Sequence, residues 1–107
     1  MKEVHLTIKD DGSAMEIAIG TIVIISLEGN PSTGFSWTID SIDQTILKNI
    51  QSNFDSASGA SIGSNGKFIF RFQCLKKGDG KISLKYWRHW EGDTSVTKRF
   101  EVKVKAV

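Results

Sequence analysis

Lys67-Phe68-Ile69-Phe70-Arg71-Phe72-Gln73-Cys74-Leu75 alternates with a period of two. Phe68, Phe70, Phe72 and Cys74 share one face, and Lys67, Ile69, Arg71 and Gln73 share the other. That is the pattern of a strand with one side in a core. The same period recurs on both sides of it. Towards the N-terminus, Val4, Leu6 and Ile8 alternate with polar residues, Asp10-Asp11-Gly12 signals a turn, and Met15, Ile17 and Ile19 alternate again before Gly20. Thr21-Ile22-Val23-Ile24-Ile25-Ser26-Leu27 is apolar at nearly every position, which predicts a central strand covered on both faces or twisted between two sheets. Phe35, Trp37 and Ile39 share a face of the next strand. The stretch 40–53 is less regular and reads as turns followed by a strand from Leu47 to Phe54. Beyond Cys74, Lys76 to Gly80 reads as a turn. Ile82, Leu84 and Tyr86 then alternate inward, and Val96, Phe100, Val102 and Val104 form a last strand with a bulge near Lys98-Arg99. Seven or eight short strands with no helix predict an all-β protein, an immunoglobulin-like β-sandwich with Trp37 as its core tryptophan.

The 107 residues are one domain of ordinary size, spanning 1–107. Fourteen basic against twelve acidic residues give a formal charge of +2. The basic residues are scattered, with Lys76-Lys77 and Lys98-Arg99 the adjacent pairs, so no stripe of one sign points to nucleic acid. No apolar run approaches a membrane span. The single cysteine, Cys74, favours a reducing compartment over a disulfide framework. Residues 1–8 alternate and lack the apolar core of a signal peptide, so the expected location is cytoplasmic.

Enzymatic readings find no footing in the residues. Cys74 has the parity of the buried phenylalanines and reads as a small core hydrophobe. No Gly-x-Ser-x-Gly elbow is present, and His5 and His89 are too isolated to hold a metal. Gly63-Ser64-Asn65-Gly66 and Gly78-Asp79-Gly80 open no helix and lack the Lys-Ser/Thr of a phosphate loop. Asp40 and Asp43, and Glu91 and Asp93, read as solvated carboxylates in turns. No cofactor is implied.

Three loops are left over. The first, Asn30-Pro31-Ser32-Thr33-Gly34-Phe35, holds the only proline. Pro31 fixes its own φ and pushes Asn30 into an extended conformation. Gly29 and Gly34 can supply positive φ, and Ser32 and Thr33 form a small polar tip. The second, Ser58 to Gly66, has almost no bulk except Ile62. The third is Arg88 to Asp93, where Trp87 faces outward, Trp90 lies in the loop and Arg88 can stack on an aromatic face. With the strands lettered in order, these are the B–C, D–E and F–G loops, which gather at one end of an immunoglobulin-like sandwich.

In these three loops the chain resembles the chagasin family of inhibitors of papain-like cysteine proteases. That family carries Asn-Pro-Thr-Thr-Gly-(Tyr/Phe), Gly-x-Gly-Gly and Arg-Pro-(Trp/Phe) loops in this order. Here they read Asn30-Pro31-Ser32-Thr33-Gly34-Phe35, Gly63-Ser64-Asn65-Gly66 and Arg88-His89-Trp90. Ser32 replaces a Thr, Asn65 a Gly and His89 a Pro. The resemblance implies a monomeric, reversible, tight-binding, competitive inhibitor forming a 1:1 complex with the protease. Ser32 and Thr33 would approach the catalytic Cys/His pair, shaped by Pro31 and Gly34. Ile62 would be an apolar contact near a substrate pocket, and Trp90 would pack on the enzyme rim. Arg88 would either hold its loop or meet enzyme acids. The rival reading is an adhesion or carbohydrate-binding sandwich that uses Trp87 and Trp90 as stacking platforms.

Overall fold

The alternating runs become strands in the computed structural model, which describes residues 2–56 and 66–107. The described residues form eight: β1 (Glu3–Leu6), β2 (Ala14–Ile17), β3 (Ile22–Gly29), β4 (Ser36–Ile42), β5 (Leu47–Ser56), β6 (Gly66–Cys74), β7 (Gly78–Trp87) and β8 (Lys98–Ala106). They make two four-stranded sheets, ordered β1-β3-β6-β5 and β2-β8-β7-β4. This is the immunoglobulin-like arrangement with the first strand divided between the sheets. The edge strands β1 and β2 pair in parallel, with β3 and β8 respectively, and the other ladders are antiparallel. Parallel pairing demands a crossover, and β2 in the opposite sheet supplies it.

The inner faces interdigitate as their parity requires. Val23, Ile25 and Leu27 of β3 and Phe68, Phe70, Phe72 and Cys74 of β6 meet Trp37, Ile82, Leu84, Tyr86, Phe100, Val102 and Val104 from the other sheet. β3 is buried on both parities, Ile22 and Ile24 included, as its apolar run predicts for a strand flanked on each side. Antiparallel pairing then sends the β3–β4, β5–β6 and β7–β8 connections to one pole of the sandwich. Lys2, whose carbonyl accepts from Ile22 N–H, and Val107, whose N–H donates to Ile17 O, lie at the opposite pole.

Five expectations need correction. β1 stops at Leu6, because the Thr7 hydroxyl accepts from Lys9 N–H and the Asp10 carboxylate accepts from Thr7 N–H. This capping box starts a 3₁₀ turn over Ile8–Asp10 and leaves Ile8 exposed. β2 likewise ends at Ile17, and Ile19 is exposed in the following turn. Gly78-Asp79-Gly80 belongs to β7, paired with Ala106, Lys105 and Val104, because the missing side chains leave room for Ile46 against the ladder. Asp55 and Ser56 continue β5, opposite Lys67 and Gly66, two residues beyond the end at Phe54 that the pattern predicts. The β7–β8 register runs unbroken through Lys98 and Arg99, and Val96 precedes the strand. The register shifts instead at Asp40 in β4 and at Ile50 in β5.

Candidate functional site

The loop bases are tied together by the sheets themselves. Gly29 pairs with Gly66, which also pairs with Ser56, joining the first and second loops. Ser36 pairs with Trp87, joining the first and third. Gly29 has no positive φ; its role is close approach, since a methyl group there would lie 2.7 Å from the Phe68 ring. At Gly66 the same addition would collide with the Phe54 ring and lie 2.6 Å from the Asp55 carbonyl oxygen. Ile62, Gly63, Ser64 and Asn65 lie outside the described residues.

The first loop is a 3₁₀ turn over Pro31–Thr33, with Pro31 at its first position and Asn30 extended before it at φ −127°, ψ 96°. The Asn30 side-chain oxygen accepts from Ser32 N–H at 3.1 Å and from the Ser32 hydroxyl at 2.6 Å. The Asn30 carbonyl accepts the Thr33 hydroxyl at 2.7 Å. Both hydroxyls that the sequence placed at a polar tip thus donate back into their own turn. Gly34 closes the loop at φ +89°, where an L side chain is strained. Asn30 N–H donates to the Tyr86 hydroxyl at 3.1 Å and fixes the loop to the core. Tyr86→Phe is therefore expected to cost about 0.5–1.5 kcal/mol and to speed hydrogen exchange at the Asn30 amide, measured by NMR.

The third loop leaves β7 through Arg88 and makes two 3₁₀ turns, His89–Glu91 and Asp93–Ser95, separated by Gly92. Arg88 reaches from its own loop across to the first. Its Nε, at 3.1 Å, and Nη2, at 2.9 Å, both donate to the Thr33 carbonyl oxygen of the first loop. The guanidinium lies 4.5 Å from the Phe35 ring centroid, and Nη1 sits 3.5 Å from Glu91 Oε1. Phe35 stacks on Tyr86 with centroids 5.4 Å apart, and Tyr86 packs against Trp37 at 5.2 Å. A planar cation, two stacked rings and the core tryptophan thus form one continuous column under the two loops.

Trp90 is 63% exposed, more than any other large hydrophobic residue among those described. Its ring lies over Gly34, where an added methyl group would sit 3.0 Å from it, and His89 packs against it edge to face at 5.1 Å. Trp87 faces outward as its parity predicts but is half-buried, with the Lys85 ammonium 3.6 Å over its ring. A pair of open aromatic platforms, which the carbohydrate-binding reading requires, is therefore not formed.

The carboxylates expected to be solvated do face solvent, and some of them also pair. Asp40 bridges Lys85 at 3.3 Å and Arg99 at 3.2 Å, Asp93 meets Lys85 at 3.0 Å while staying exposed, and Asp43 accepts from the Thr45 hydroxyl. Lys85, Asp40, Asp93 and Ser95 were invisible as site residues in the sequence, because none belongs to a motif. The one available signal was that Lys85 shares the outward parity of Trp87. No group of His, Cys, Asp or Glu able to hold a metal occurs among the described residues, and Cys74 is buried.

Comparison with known proteins agrees with this geometry. Residues 16–104 match the model of the family described as chagasin family peptidase inhibitor I42. The chain is 31% identical over 99 residues to Amoebiasin-1 of Entamoeba histolytica, covering 92% of this chain and 95% of that protein. It is 28% identical over 101 residues to Chagasin of Trypanosoma cruzi, covering 90% and 91%. The fold matches the crystal structure of the cysteine protease inhibitor EhICP2 from Entamoeba histolytica with a TM-score of 0.88, at 24% identity over 99% of this chain and 96% of that one. With a family match over most of its length, the chain belongs to the chagasin family of peptidase inhibitors, and it is an inhibitor rather than an enzyme.

Proposed function

We propose that this protein is a reversible, tight-binding, competitive inhibitor of papain-like cysteine proteases, and that it fills their active-site cleft with the three loops at one pole of the sandwich. Membership of the chagasin family makes it an inhibitor of cysteine proteases. The mode of inhibition rests on one observation above the others: the Arg88 fork on the Thr33 carbonyl, which makes the first and third loops a single body. Ser32 and Thr33 enter at the catalytic pair with Trp90 and His89 beside them, and the connection between β5 and β6 supplies the third set of contacts. A wedge already in its bound shape loses little conformational entropy on docking. An interface on the order of 800 Å² per partner suits three loops.

The same hydrogen bonds explain how the loop would escape cleavage. A protease processes an extended segment whose carbonyl oxygen can turn into its oxyanion hole. Here the carbonyls of Asn30, Pro31 and Thr33 accept from Thr33, Gly34 and Arg88 respectively, inside a closed turn. Papain titrated with the protein is expected to lose activity stoichiometrically, to regain it on dilution and to leave the inhibitor at its intact mass. Full papain activity with an equimolar amount present would overturn the proposal, and so would cleavage between Asn30 and Gly34 on the timescale of turnover.

A further inference from the structure

Lys85 lies outside the three loops, on the outer face of the β2-β8-β7-β4 sheet, and its side chain is only 12% exposed. The ladder sets it directly opposite Arg99, a like-charge pair that destabilises a sheet unless something stands between the two. The irregularity at Asp40 provides that. The residue beyond Ile39 falls out of register, and its carboxylate reaches both cations. With Arg99 served by Asp40 and its own ammonium held over the Trp87 ring, Lys85 makes its shortest contact, 3.0 Å, with Asp93 in the third loop.

Asp93 begins the 3₁₀ turn that ends at Ser95. The Ser95 hydroxyl accepts from Arg88 N–H at 3.0 Å and lies 2.9 Å from the Arg88 carbonyl and 2.7 Å from that of Gly92. A path thus runs from the sheet through the Lys85–Asp93 pair, along the Asp93–Ser95 turn, and from the Ser95 hydroxyl to the backbone of Arg88. From Arg88 it reaches the Thr33 carbonyl and the ground beneath Trp90. We propose that Lys85 is a positioning residue for inhibition: it holds the third loop in its binding shape without touching the protease. This rests on the function proposed above. The Asp93 hydrogen bond, opposed by desolvation and helped by Asp40, keeps the Lys85 ammonium above its ordinary value of 10.5, so it is charged wherever such proteases are assayed.

The test compares Lys85→Met, which removes the ammonium and keeps an unbranched stem, with Lys85→Arg, in the wild-type and Trp90→Ala backgrounds. Papain inhibition constants, dissociation rates and melting temperatures are measured for each. Lys85→Met is expected to weaken inhibition about tenfold through faster dissociation, as loss of preorganisation does, with little change in melting temperature. Lys85→Arg should restore most of the affinity. In the Trp90→Ala background the Lys85→Met effect should shrink severalfold, because the contact that Lys85 positions is already gone. An unchanged constant for Lys85→Met, or an undiminished loss in the Trp90→Ala background, overturns the positioning role while wild-type inhibition stands. Absence of wild-type inhibition instead rejects the underlying function.

Discussion

Arg88→Ala is expected to weaken inhibition of papain about a hundredfold, the scale of a central arginine hot spot. Two hydrogen bonds to the Thr33 carbonyl and a 4.5 Å approach to Phe35 disappear with the guanidinium. The first loop then keeps its own Asn30 turn but loses its tie to the third. Folding should suffer less than binding, because the side chain is half-exposed and its Glu91 partner lies at the surface; a loss of about 1–2 kcal/mol is expected. Arg88→Lys should fail to rescue, since an ammonium keeps the charge but cannot fork onto one carbonyl while lying flat over a ring. Inhibition constants from steady-state assays, read beside thermal melts, decide the matter. Equal affinity for Arg88→Ala and wild type would mean that the two loops do not act as one wedge.

Phe72→Ala should do the reverse. Phe72 is 0% exposed in the central part of β6, opposite Val23 of β3 and Asn49 of β5, and packed against the other sheet. Truncating it leaves a cavity in a close-packed interior at a cost of about 3–5 kcal/mol, a large part of the roughly 5–15 kcal/mol that such a domain has. Chemical denaturation monitored by tryptophan fluorescence would show the midpoint falling. The fraction still folded should inhibit papain as wild type does, because Phe72 reaches none of the loops. A midpoint near that of wild type would show that the core can collapse around the gap.

Most of the sandwich was legible because inward and outward positions alternate, and β6 is the clearest case. What the alternation missed was where strands stop and where they slip. Thr7 and Asp10 carried a Thr-x-x-Asp capping signal that outweighed the apolar Ile8. The slip at Asp40 also had a trace, since inward parity passes from odd at Trp37 and Ile39 to even at Ile42. The loop motifs named the residues of the site but not their bonding. Nothing in Arg88-His89-Trp90 says that the guanidinium reaches across to Thr33, and nothing in Ser32-Thr33 says that both hydroxyls turn inward. Such contacts depend on loops far apart in sequence meeting at one pole, which only the sheet registers decide.

Those registers also carry Lys2 and Val107 to the pole away from the loops, along a body whose longest dimension is 43 Å. A label, a solid support or a second protein joined at either end would therefore hang behind the wedge rather than beside it. The domain can be tethered by its tail and still offer its working edge, so immobilisation on a resin or display on a particle calls for no long spacer.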